Sequence, residues 1–595
     1  MDEHTRRTLD SLFSPRGIAV VGSMKEGKIA GQVIVQLVEG DFPGRIWAVN
    51  PKSEAPPKYP EIPARSSLSE IPDELDTAVI CSPAATVASV LEDAGRRSVS
   101  SAVILTSGFG EIGHLEEERR LRQIAETRGI RLIGPNCAGI MSSGARLYAS
   151  IEVRALPGSV AFLSQSGAVG GAVLAMAEER GIGFSKFVSF GNRTDLGEVE
   201  LLDYFLEDPE TEAAALYLES VQEGRPFIEA ARRFAARKPL ILIKAGRSEA
   251  GSRAAGSHTG SLAGSDEVFQ VVVRETGAIR ANDLEEMLDL CQGVSSLPPV
   301  KGRRLLLVTN SGGPGILTTD AAEKSGLQIV PPREQQQARL REFLPPHASV
   351  SNPVDLTVEG SAEDFRRSLE LLLRSDAYDC AVAINVGTPF IDSQVLARGI
   401  AEAAESTGKP VAAVFMAGRI VEEGLKLFHE KNIPAFPTGE RAVRVLAAMA
   451  ARQEFLRRPT PTRSQKLRTL GSGPSPAPLQ PPVLMSTGMD LLRHYGLPLP
   501  NYRFVPAGEK ASDHIDHLSY PLAMKVVSPG LAHKSEVGGV ALNIENPEEL
   551  DHSFQRMAER LGAGSFAGVL IHEMIPQGLE LILGLKHDPS FGPVL

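Results

Sequence analysis

Short apolar runs alternate along most of the chain with longer segments whose apolar positions recur at helical spacing. Ile18–Val21, Ile46–Val49, Thr77–Ile80 and Ala102–Leu105 read as buried strands, and Ala84–Arg97 and Leu115–Arg128 between them read as helices. That alternation predicts βαβ units and a parallel sheet covered on both faces. The first block closes at Arg131–Ile133 and the turn Gly134-Pro135-Asn136. A second block runs from Ser159–Leu163 to about Ser296, and a third from Arg304–Val308 to about Arg452. The expected domains are 8–145, 150–298 and 300–455. A Pro-, Gly- and Ser-rich linker, 456–482, then leads to a shorter domain, 483–595. Its expected strands are Ala523–Val527, Val540–Ile544, Ala567–His572 and Leu579–Leu585. The fold class is α/β: a Rossmann-like first domain, two flavodoxin-like domains and an α+β tail.

The second and third blocks open alike. Ser164-Gln165-Ser166-Gly167 follows the strand AFL, and Thr309-Asn310-Ser311-Gly312 follows the strand LLV. The two register at a constant offset of 145 residues through Ala177/Ala322, Glu178/Glu323 and Gly181/Gly326. This predicts two copies of one α/β unit.

Composition narrows the function. The 595 residues include 42% apolar and 23% charged positions, an ordinary globular balance. A net charge of -11 argues against a broad nucleic-acid surface. Four scattered cysteines, Cys81, Cys137, Cys291 and Cys380, show neither disulfide nor zinc spacing. No apolar run is long enough for a membrane span. The charged start MDEHTRRTLD lacks a signal-peptide core, so a cytoplasmic protein is expected.

Three glycine turns could hold phosphate. Gly22-Ser23-Met24-Lys25-Glu26-Gly27-Lys28 follows the first strand, and the second ends in Asn50-Pro51-Lys52. An acid at that second position would grip a nicotinamide ribose, whereas Lys52 favours an anion. A nicotinamide oxidoreductase is thereby disfavoured. The turns at Ser166-Gly167 and Ser311-Gly312 each aim a helix N-terminus outward from a sheet, where a helix end attracts an anion. Between them lies Ser257-His258-Thr259-Gly260-Ser261-Leu262-Ala263-Gly264, a single imidazole among small residues. Neutral imidazole is a competent nucleophile near pH 7.

These blocks give the chain a family likeness. Together with Ser107–Glu111, Gly134–Gly139, Tyr217-Leu218-Glu219, Asn352–Asp355, Pro437-Thr438-Gly439 and His533–Val540, the sequence resembles the NDP-forming acyl-CoA synthetases. These are ADP-forming acetate–CoA ligases, relatives of succinyl-CoA synthetase. The resemblance implies that a carboxylate, CoA and ATP are converted reversibly to acyl-CoA, ADP and phosphate through acyl-phosphate and phosphohistidine intermediates. By it, His258 is the phosphorylated residue, Glu219 orients it and His533 is a second relay. The phosphate is expected between the helix ends at Ser166, Gly167, Ser311 and Gly312. CoA contacts are expected at Gly22, Ser23, Lys28, Lys52, Ser82 and Asn136, and nucleotide contacts at Lys525, Glu573, Met574 and Glu580.

Residues 483–595 resemble about half of an ATP-grasp domain, and no ligands for Mg2+ are identified in them. Either the sequence is truncated there or a partner chain supplies the rest. A homodimer acting on a small carboxylic acid or its acyl-CoA is expected, with no nucleic acid and no membrane partner. The rival reading is a non-catalytic acyl-CoA-binding module, of the kind fused to protein acetyltransferases. The presence of both His258 and Glu219 favours catalysis.

Overall fold

The computed structural model describes residues 3–248, 250–253, 265–458, 484–528, 538–561 and 566–595. They form two units: one holds the chain up to Arg458 together with Leu585–Leu595, the other runs from Pro459 to Gly584.

The first sheet contains β1 (Gly17–Val21), β2 (Arg45–Val49), β3 (Ala64–Arg65), β4 (Thr77–Ile80), β5 (Ser101–Ile104) and β6 (Arg131–Ile133). Its order is β3-β2-β1-β4-β5-β6, all parallel, so the chain reverses its direction of travel between β1 and β4. Every residue of β1, β4 and β5 is buried, as strands covered on both faces require.

The second sheet contains β7 (Gly139–Ser142), β8 (Leu147–Ser150), β9 (Pro157–Ser164), β10 (Phe184–Ser189), β11 (Ala213–Leu218), β12 (Leu240–Lys244) and β13 (Ile279–Arg280). The third contains β14 (Arg304–Thr309), β15 (Gln328–Ile329), β16 (Val354–Asp355), β17 (Cys380–Val386), β18 (Val411–Met416) and β19 (Ala435–Phe436). The order β10-β9-β11-β12-β13 in the second sheet matches β15-β14-β17-β18-β19 in the third. Both are the flavodoxin order. The antiparallel hairpin β7–β8 extends the second sheet beyond β10.

The duplication reaches individual hydrogen bonds. Ser164 Oγ donates to the Ser166 carbonyl at 2.6 Å, and Thr309 Oγ1 to the Ser311 carbonyl at 2.9 Å. The Ile182 amide donates to Ala177 O at 2.8 Å, and the Leu327 amide to Ala322 O at 2.9 Å. Between each pair sits a glycine at positive φ, Gly181 (68°) or Gly326 (76°), which reverses the chain after the helix.

These lobes share their cores. Phe13, on the helix Glu3–Phe13, stacks on Tyr204 with ring centroids 5.2 Å apart. One apolar cluster runs between the second and third sheets, taking Val173, Leu174 and Ala177 from the helix Gly167–Glu179 and Ala322 from Gly312–Lys324.

The other unit is built on a four-stranded sheet: β20 (Tyr502–Pro506), β21 (Leu522–Val527), β22 (Val540–Ile544) and β23 (Gly568–Glu573), ordered β20-β23-β21-β22. Its core includes Val505, Met524, Phe554 and Ile571. The strand expected at Leu579–Leu585 is not formed. Leu579, Leu581, Ile582 and Leu583 are all exposed, since no neighbouring strand there pairs with them among the described residues. A two-stranded hairpin follows instead, β24 (Lys586–Asp588) with β25 (Gly592–Val594). It joins the first unit because Phe591 enters that unit's core beside the start of the helix Gly224–Arg237.

Candidate active site

At the point where the first sheet reverses, a cavity of about 750 Å3 opens beyond the carboxyl ends of β1, β2 and β4. Gly22, Ser23, Lys52 and Ser82, four of the expected CoA contacts, line it. The Gly22 amide donates to Val49 O at 2.9 Å. A Cβ at Gly22 would lie 3.0 Å from Ala30 Cβ and 3.1 Å from Cys81 O, so the turn is closed to larger residues. Asn50 is buried and shapes the next loop: its Oδ1 accepts from the amides of Lys52 (3.2 Å) and Glu54 (3.0 Å), and its Nδ2 donates to Glu54 O (2.8 Å). That turn leaves the Lys52 ammonium exposed at the lip, 3.8 Å from Glu54.

The other two expected contacts lie elsewhere. Lys28 lines a neighbouring cavity of about 450 Å3 with Met24 and Lys58. Asn136 is engaged within the protein, its amide donating to Thr106 O at 2.9 Å and its Nδ2 to Asn192 Oδ1 at 3.3 Å. Lys25 and Arg96 also line the larger cavity, adding cations to Lys52. Lys25 lay within the glycine turn, but Arg96 comes from a helix end with no motif to flag it.

The Ser166 turn is the better built of the two duplicated turns. Ser166 caps the helix Gly167–Glu179, its Oγ accepting from the Val169 amide at 3.4 Å, whereas Ser311 makes no such side-chain cap. Neutral groups border Gly167: a Cβ there would lie 3.1 Å from Ala138 Cβ and 3.8 Å from Ser189 Oγ. At Gly312 the nearest atom to a Cβ would be Asp355 Oδ2, at 3.3 Å. A carboxylate thus borders the second helix end, where neutral groups border the first.

Glu219 follows β11 and is buried, beside the strand that carries the Ser166 turn, since Tyr217 pairs with Ser164. Gln165 locks the corner: its Oε1 accepts from the amides of Glu219 (2.8 Å) and Ser220 (3.1 Å). Arg193 holds the other side, donating to Ser220 O and Ser220 Oγ, both at 2.9 Å, while paired with Glu198 at 3.0 Å. In the third sheet Asn310 Oδ1 likewise accepts from the Val386 amide at 2.9 Å. There Ile384 pairs with Thr309, so Val386 stands where Glu219 stands in the first copy. The backbone device is duplicated; the acid is not. Gln165 lay inside the motif read from sequence, whereas Arg193 and Glu198 belong to no recognisable pattern.

His258 and His533 lie outside the described residues. The chain enters the His258 block through Lys244, whose buried Nζ donates to Ala245 O (3.1 Å) and Gly246 O (3.3 Å) and whose ammonium burial pushes down from its ordinary range. It leaves through Ser265, whose amide donates to Asp588 Oδ2 of the C-terminal hairpin at 3.3 Å.

In the second unit Lys525 lies on β21, and Glu573 ends β23. Leu522 pairs with Glu573 and Lys525 with Leu570, so the two side chains alternate onto opposite faces of the sheet. Glu573 is held by the Ser519 amide (2.9 Å) and Asn501 Nδ2 (3.1 Å), which keep its carboxyl below the usual range. The Met574 amide donates to Pro521 O at 3.0 Å, and Glu580 is exposed. Among the described residues no group of three or more His, Cys, Asp or Glu is placed to hold a metal ion.

Four stretches of the chain match known protein families. Residues 16–143 match a CoA binding domain, 157–294 a succinyl-CoA ligase like flavodoxin domain, 305–457 a Ligase-CoA domain and 483–595 an ATP-grasp domain. An ADP-forming acetate–CoA ligase I of Archaeoglobus fulgidus is 35% identical over 99% of this chain and 86% of its own length. An ADP-forming 4-hydroxybutyrate–CoA ligase of Nitrosopumilus maritimus is 30% identical over 98% of this chain and 85% of its own. A solved chain of the dinucleotide forming acetyl-coenzyme A synthetase 1 of Ca. Korarchaeum cryptofilum, in complex with phosphate and ADP, has a TM-score of 0.72 at 36% identity. The match covers 75% of this chain and 97% of that one.

Proposed function

This chain belongs to the family of ADP-forming acid–CoA ligases, and from that premise we propose that it joins a short carboxylic acid to CoA through a phosphate carried on His258. As a member it is an acid–thiol ligase using CoA and ATP or ADP. In this reading the γ-phosphoryl of ATP passes to a ring nitrogen of His258, directly or through His533, and ADP leaves. The carboxylate oxygen then attacks the phosphorus, freeing the imidazole and forming an acyl phosphate. The CoA thiol attacks the acyl carbon, losing its proton as inorganic phosphate departs. Each displacement replaces part of a difficult dehydration. ATP enters as its magnesium complex.

The observation that carries the reading is the corner where Gln165 ties the buried Glu219 beside the Ser166 helix end. A helix N-terminus for the phosphate and an acid to take the other imidazole N–H are the two things a phosphohistidine needs. Gly22, Ser23, Lys52 and Ser82 would hold CoA, supported by the 750 Å3 cavity they line. Lys525, with the main chain at Glu573–Met574, would face the nucleotide. The small residues around His258 fit a short acid such as acetate, the substrate in one relative's name, better than a longer one.

Incubation with magnesium and γ-labelled ATP tests the relay. Acid-labile, base-stable label on the peptide that carries His258, and loss of acyl-CoA formation in His258→Ala, are expected; acyl-CoA formation retained in that variant would sink the relay. Glu219→Gln should lower acyl-CoA formation about 100-fold with the circular dichroism unchanged. A cytoplasmic homodimer belongs to the same proposal, and a mass by light scattering tests the dimer. Among the described residues no helix is long and apolar enough to cross a membrane.

A further inference from the structure

A separate cavity, of about 280 Å3, lies where the end of the helix Asp266–Thr276 meets the end of the helix Gly439–Arg457. Arg274, Arg280, Arg452 and Arg458 line it together with Gln270 and the ring of Phe455, and its wall contains no carboxylate. Four guanidinium groups around so small a space repel one another in a protein whose net charge is -11.

Of the acids nearby, Glu454 is engaged outside the cavity and Asp266 on one of its four arginines. Glu454 pairs with Arg303 at 2.6 Å. Asp266 and Gln270 hold Arg280, leaving its buried Nε without a partner. Arg452 is the least compensated. Its Nη2 donates to Ala235 O at 3.0 Å, its Nε is buried with no partner, and burial pushes the group down from its ordinary range. One of its five N–H donors is bonded, which leaves four without a partner among the described residues. Arg274 and Arg458 are exposed and make no ion pair among the described residues.

An unpaired cation removed from water is costly unless an anion meets it. Arginine forks match phosphate oxygens two at a time, and several around one space select a multiply charged oxyanion. The volume is small beside the roughly 300–1,000 Å3 of drug-sized pockets, which excludes a large organic ligand. We propose that this cavity binds a condensed phosphate, either free pyrophosphate or the diphosphate group of a nucleotide. None of its residues belongs to the ligase site described above, so the inference stands apart from that reading.

Calorimetric titration of the full chain with inorganic pyrophosphate, and separately with ADP, tests it at physiological salt. Pyrophosphate should bind, and its affinity should fall at least tenfold in Arg452→Met. It should fall similarly in the double variant Arg274→Gln/Arg458→Gln, whose exposed positions leave folding intact. If ADP loses affinity in parallel, the nucleotide diphosphate is the occupant; if only pyrophosphate does, the free anion is. No binding of pyrophosphate to the unaltered protein, or equal binding to the double variant, overturns the proposal. Acyl-CoA formation in the double variant without added polyanion should match that of the unaltered protein.

Discussion

At Glu219 a neighbouring amide, rather than its own strand, sets where the acid stands. Gln165→Ala would leave the buried amides of Glu219 and Ser220 without their acceptor, at about 1–3 kcal/mol each. The second copy supplies a matched control, because Asn310→Ala removes the same kind of bond from Val386. Both variants should lower the urea midpoint, but only Gln165→Ala should also slow acyl-CoA formation at saturating substrate. Equal slowing in both would mean that Gln165 acts through stability alone. Two other carboxylates work on pH. Asp76 takes the Arg16 amide (2.7 Å) and its Nη2 (2.8 Å); Asp379 takes the Arg304 amide (2.9 Å) and its Nη2 (2.8 Å). Burial pushes both carboxyls up, but the arginine bonds and charge outweigh it and hold both below their ordinary range. A depressed folded pKa stabilises above the unfolded value, near 3.8, and that stability is lost as pH falls through the folded one. Relative to Asp76→Asn or Asp379→Asn, the protein should therefore be more stable at pH 6, and the gap should close below about pH 4. A gap that persists at pH 2 would show that packing, not charge, explains it.

At the scale of elements, the hairpin of β24 and β25 ties distant parts of the chain together. Asp588 is buried, accepts from the amides of Ser590 (2.9 Å) and Phe591 (3.0 Å), and reaches the Ser265 amide. The Gly224 amide donates to Ser590 O at 3.1 Å, and a Cβ on Gly224 would come within 2.4 Å of that oxygen. Phe591→Ala should cost about 3–5 kcal/mol of docking, read as faster hydrogen exchange at the Gly224 amide with exchange in β1 and β4 unchanged. No period in the sequence announces this contact. The segment Leu579–Leu585 reads as a strand because local apolarity is all that sequence shows, whereas strand formation needs a paired neighbour. The buried parallel strands were legible for the opposite reason. Runs such as Ile18–Val21 and Thr77–Ile80 are apolar throughout because both faces are covered, and the pattern records that.

For the molecule as a whole, the order of domains and the duplicated unit were readable because each rests on a local signature repeated in register. The candidate site was readable only in part. Ser166, Gly167 and Glu219 lie inside motifs, but Arg193, Glu198, Arg96 and the arginines around the small cavity act through tertiary neighbours that no spacing encodes. The asymmetry between Glu219 and Val386 also needed the register of two sheets, since the repeat is clear to sequence only around the first strand and helix. The C-terminal hairpin has one more consequence. Because 585–595 folds with the chain before Arg458, the stretch Pro459–Gly584 is topologically an insertion held at both ends. Severing the backbone once within 459–482 would leave its products joined through the hairpin, by contacts that denaturant dissolves. A protease site placed there should give two bands on a denaturing gel but a single peak in gel filtration, and Phe591→Ala should split that peak in two.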